Sequence, residues 1–140
     1  MSTPALQETL AAEHAAVWVF ALLGGQASED DTLFDDMEHA YEVHRERRDH
    51  LVAVLTDLGE TPVAAEIGYQ VGATRTKGRL LAVARQTEER CAATYADLVA
   101  RSAGDERTWA VAALTDAAVR QLRFRGSPET FPGARELTDR

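Results

Sequence analysis

Four ionisable side chains stand at helical spacing inside apolar stretches: Glu13 in LQETLAAEHAAVWVF, His44 in MEHAYEVHRERRDHLVAVL, Glu88 in LLAVARQTEERCAATYADLV and Asp116 in WAVAALTDAAVR. Three carboxylates and one imidazole are a donor set for a single hard or borderline cation such as iron or manganese, with Tyr41 or Tyr95 as hydrogen-bonding outer partners. Arg48, on the His44 face, and Arg120, one turn beyond Asp116, offer a second solution, because guanidinium groups supply the positive charge that a metal would otherwise bring. With His44 protonated, it balances Glu13, Glu88 and Asp116 together with Arg48 and Arg120, and no ion is needed. The reading preferred is therefore a metal-free network of Glu13, Tyr41, His44, Arg48, Glu88, Asp116 and Arg120, structural or binding a small polar ligand, with no cofactor. The alternative is an iron- or manganese-dependent oxidoreductase holding its metal on Glu13, His44, Glu88 and Asp116. A protein-interaction module is a third reading, since a fold alone does not imply a function.

These residues need helices to position them. Glycine, proline and capping residues divide the chain into helices at about 4–24, 30–58, 77–102 and 105–125, followed by a coil tail at 127–140 with Phe131 as its anchor. Thr3 before Pro4, Ser28 with Asp31, Thr74 or Thr76, and Asp105 are the expected N-caps, and Gly24-Gly25 and Gly59 the expected stops. No period-2 alternation is long enough for a strand. Read in steps of three and four, the inner faces are Leu6, Leu10, Glu13, Val17, Phe20 and Gly24; then Phe34, Met37, Tyr41, His44, Arg48, Leu51, Leu55 and Leu58; then Leu81, Ala84, Glu88, Cys91, Tyr95 and Leu98; then Trp109, Ala112, Asp116, Val119 and Arg123. Each is apolar at its ends with a polar residue midway. One such intruder would mean little, but four must find partners, because an isolated buried charge costs several kcal/mol.

The connections decide whether the four can meet. Helices one and two, and three and four, are joined by short turns and form antiparallel hairpins. Folding the first about residue 27 sets Glu13 opposite Tyr41 and His44; folding the second about residues 103–104 sets Glu88 opposite 119–120 and Asp116 opposite Cys91. The link at 60–76 reaches about 56 Å when extended at about 3.3 Å per residue. A helix of 22 residues is only about 33 Å long. The link can therefore run the length of a bundle.

Composition bounds the rest. With 140 residues, the chain makes one domain, and 15 Lys+Arg against 23 Asp+Glu, a net charge of −8, argue against nucleic-acid or anionic-membrane binding. The start, MSTPALQETLAAEH, reads as neither signal peptide nor membrane span, so a cytoplasmic protein is expected. Cys91 has no thiol partner and reads as a small, unreactive core residue. Arg45 and Arg47 read as surface partners of Glu42, Glu46 and Asp49, and His39 and His50 as solvated. Trp18 lies off its inner face where a partner subunit can cover it, so a homodimer is expected.

The segments AAEHAAVW, HRERRDHL, EERCAATYADLV and ALTDAAVR, set in a bundle with a long central crossover, resemble the ferritin-like superfamily and, within it, the small actinobacterial DUF4439 branch, which has no assigned function. The resemblance runs from Leu6 to Gly133. It implies an all-α, ferritin-like antiparallel four-helix bundle with a long crossover between helices 2 and 3. In the superfamily, a di-iron or di-manganese centre takes Glu from helices one and three and Glu-x-x-His from helices two and four. Glu13, Glu88 and His44 match that pattern and Asp116 is a shortened match. Tyr41 and Val119 replace two of the six ligands, which marks the site as degenerate.

Overall fold

The computed structural model describes residues 2–125 and 131–134. Four helices, α1 (Thr3–Gln26), α2 (Asp31–Asp57), α3 (Lys77–Arg101) and α4 (Gly104–Arg125), form an all-α bundle with no strand among the described residues. Pro4 sits in the first turn of α1, but the N-cap is Ser2, without a side-chain bond, and not Thr3. Asp30, rather than Ser28, caps α2: its Oδ1 accepts the Leu33 N–H at 3.0 Å, and its other oxygen pairs with Lys77 at the start of α3 at 3.1 Å. Thr76 caps α3, accepting the Arg79 N–H at 3.2 Å. Gly59, at φ +78°, ends α2 in the left-handed conformation that glycine takes without strain, and the Glu60 N–H closes the turn on the Leu55 carbonyl at 2.9 Å. Gly24-Gly25 does not stop α1, which runs on to Gln26 with Gly24 buried against Met37 of α2.

α1 packs on α2, α3 on α4, and α1 on α3. Two apolar clusters fill the bundle. Phe20, Leu23, Met37, Leu80, Ala84 and Phe124 belong to one, and Leu6, Leu10, Leu51, Leu55, Leu98 and Ala110 to the other. Glu13 and His44, both fully buried, occupy the chain positions between them, and the fully buried Glu88 lies within the first, between Ala84 and Cys91. On α4 the inner face is Ala110, Ala113, Ala117, Arg120 and Phe124, one position on from the expected Trp109, Ala112, Asp116, Val119 and Arg123. Val119 is 63% exposed. Its size promises more burial than an alanine, but the alanines let α4 lie close against α3, and packing distance decides the phase.

The crossover runs along α1. The Gln7 amide donates to the Thr61 carbonyl and accepts the Val63 N–H, both at 2.8 Å, and His14 Nε2 donates to the Val63 carbonyl at 2.9 Å. Farther along, Tyr69 meets the edge of Trp18 at 5.9 Å between ring centres. Trp18, read above as a surface for a second subunit, thus already has a partner in its own chain. The expected tail at 127–140 lies largely outside the described residues. Within 131–134, Phe131 is half exposed and the close approach is made by Gly133, at φ +79°, where a Cβ would come 2.7 Å from the Ala92 carbonyl oxygen. No described helix is long and apolar enough to cross a membrane.

Candidate functional site

His44 is the centre of the buried network. Its Nδ1 lies 2.6 Å from Glu13 Oε2 and its Nε2 2.8 Å from Glu88 Oε1, so one imidazole joins α2 to both α1 and α3. Phe20 stacks on the ring, 5.4 Å between centres and 5° from parallel, and fixes its plane. Burial alone would drive this imidazole toward its neutral form. The carboxylates of Glu88 and Glu13 outweigh that and hold its pKa well above the ordinary value. His44 is therefore an imidazolium at neutral pH, donating one N–H to each carboxylate.

The network continues outward from each glutamate. Tyr95 of α3 donates its hydroxyl to Glu13 Oε1 and accepts from Arg47 Nη1 at 3.1 Å. Burial first, then the Glu13 carboxylate, hold the Tyr95 phenol well above its usual range, so it stays protonated and can donate. Arg47 lies over the Tyr95 ring, 5.1 Å from its centre, and its other terminal nitrogen donates to Asp116 Oδ2. Arg120 Nη2 reaches the same Asp116 oxygen at 2.8 Å, and its Nη1 lies 3.5 Å from Glu88 Oε1. Asp116 is partly buried, which would raise its pKa, but Arg120 and Arg47 more than offset this and hold it below the usual carboxylate value. Three carboxylates, Glu13, Glu88 and Asp116, thus face three cations, His44, Arg47 and Arg120, in one connected set.

Glu13, His44, Glu88, Asp116 and Arg120 come together; Tyr41 and Arg48 do not. Arg48 lies at the surface and pairs with its neighbour Asp49 at 2.8 Å. Tyr41 packs beside the core with Arg45 over its ring at 5.6 Å. Both corrections are one error of phase: Ala40 and Arg47 turn inward where Tyr41 and Arg48 were expected. Arg47, read from sequence as a surface partner of nearby acids, was the cation missed. Its signal was its place one turn after His44, masked by three arginines in four positions. Asp116 faces the two guanidiniums rather than Cys91. Cys91 is buried with its Sγ 3.8 Å from the Ala12 carbonyl, and burial, with Glu13 adding to it, pushes its thiol up to about 11, where it is protonated and unreactive.

Over residues 5–136 the chain matches the family described as Domain of unknown function (DUF4439). It belongs to that family. The DUF4439 fold seen here is similar to the crystal structure of a conserved hypothetical protein, Rv2844, from Mycobacterium tuberculosis, at a TM-score of 0.82 and 26% identity, covering 88% of this chain and 93% of that one. No curated protein matches the chain. The family description and the neighbour's title carry no activity, so what this DUF4439 chain does must be argued from the network itself.

Proposed function

We propose that this DUF4439 chain is a ferritin-like bundle with a degenerate metal site, in which a histidinium and two guanidiniums take the place of the cation. The role of the cluster is then structural: it ties α1, α2, α3 and α4 together at one height and permits only one register among them. The observation that carries this reading is the bridging of Glu13 and Glu88 by both ring nitrogens of His44. An imidazolium has no lone pair to give a metal, and Asp116 is already taken by Arg47 and Arg120. With Tyr41 and Val119 outside the cluster as well, the donors do not fit a dinuclear iron or manganese centre. The whole set closes within one chain, so the reading requires no second subunit.

The second reading, a metal-dependent oxidoreductase, draws support from one feature: donor atoms of Glu13, His44 and Cys91 lie within 4.8 Å of one another. Elemental analysis of protein expressed with iron, manganese and zinc in the medium separates the two. The expected result is metal far below one equivalent, with a melting temperature unchanged by dialysis against a chelator. A full equivalent of metal that disappears in both Glu13→Ala and His44→Ala would overturn the metal-free reading.

A further inference from the structure

Away from the central network, His50 of α2 stacks on Trp109 of α4, 4.8 Å between ring centres. Beside this pair lies a pocket of about 230 Å³, walled by Leu6, Leu51, Val54 and Trp109. Glu106, in the first turn of α4, also lines it. Both of its carboxylate oxygens are shielded from solvent, and neither has a hydrogen-bond partner among the described residues. A carboxylate shielded from water beside aliphatic walls calls for hydrogen-bond donors. Among the described residues none donates to it. Burial holds the His50 imidazole below its ordinary pKa, so it is neutral at neutral pH, and the adjacent Arg107 is turned to the Val99 carbonyl at 3.1 Å. Asp105, another residue lining the pocket, adds negative charge.

We propose that this pocket binds a small alkylammonium ion, the ammonium donating to Glu106 and the carbon chain lying against Leu6, Leu51 and Val54. The chemistry is complementary on each count. The carboxylate gains its missing donors, the aliphatic walls take the methylenes, and the indole of Trp109 attracts a cation through its ring electrons. An anion meets Asp105 and Glu106 and brings no donor, and a neutral alcohol brings one donor where an ammonium brings three and gains no cation–π attraction from Trp109. None of these residues belongs to the His44 network, so this inference and the proposed function stand or fall separately.

The test is a titration of n-butylammonium chloride, n-butanol and sodium butyrate into the full chain, followed through the NMR signal of the Trp109 indole N–H. A saturating shift is expected with the ammonium ion alone, with binding weakened about ten-fold or more in Glu106→Gln, as loss of a hydrogen bond to a charged group implies. Val54→Phe, which narrows the pocket and leaves Glu106 in place, provides an independent variant and should also abolish the shift. Equal responses to butanol and butylammonium, a response unchanged in either variant, or no saturable response at all would overturn the proposal.

Discussion

His44→Leu is expected to destabilise the fold by about 3–5 kcal/mol at neutral pH, the cost typical of removing one partner from a buried ion pair. The substitution roughly conserves volume, so the loss is chiefly electrostatic. Glu13 and Glu88, both fully buried, would be left without the donor that lies between them. Among the described residues Glu88 would keep only the more distant Arg120, at 3.5 Å, and one of its oxygens already lacks a hydrogen bond there.

The same residue sets a pH dependence of definite sign. The folded-state pKa of His44 is raised, so the folded chain holds this proton more tightly than the unfolded chain. Its stabilisation is fully present below the unfolded value of about 6.5 and is lost as pH rises through the folded value. Denaturant unfolding followed from about pH 6 upward should therefore show wild-type stability declining with a slope that His44→Leu lacks. Parallel pH profiles for the two proteins would show that His44 is not the group responsible.

Arg47→Ala and Arg48→Ala, neighbours in sequence, should differ widely. Arg47 is only 11% exposed and serves both Tyr95 and Asp116, so its removal is expected to cost about 2–3 kcal/mol, discounted from the fully buried case because Asp116 is 43% exposed and keeps Arg120. Among the described residues Arg48 joins only Asp49, at the surface, and its loss should cost less than about 1 kcal/mol. Arg47→Lys should recover only part of the loss, because an ammonium lacks the rigid fork that reaches two acceptors. Chemical denaturation of the three variants provides the comparison, and equal effects at 47 and 48 would contradict the placement of Arg47 within the network.

This pair also marks the limit of what could be read in advance. The heights of Glu13, His44, Glu88 and Arg120 follow from counting residues back from two short turns, and that count is insensitive to small errors of phase. The crossover follows similarly from its length alone. The inward face of each helix is harder to read. On α2 the tyrosine at 41 competes with the alanine at 40, and on α4 the valine at 119 competes with the alanines at 113 and 117. Hydrophobicity favours the larger side chain in both cases, while close helix packing favours the smaller. Choosing Tyr41 over Ala40 carries Arg48 inward in place of Arg47, seven residues later, because both positions share one stripe. Sequence spacing also left Glu106 unnoticed, since a glutamate in the first turn of a helix ordinarily faces water and favours the positive end of the helix dipole.

All of this rests on His44 being a buried imidazolium that donates to two carboxylates. Proton–nitrogen NMR of the imidazole, assigned through loss of its signals in His44→Leu, tests this directly. Both ring nitrogens of His44 should carry protons at neutral pH and keep them well above the ordinary histidine value of about 6.5. A single protonated nitrogen at neutral pH, or a titration near that ordinary value, would contradict it.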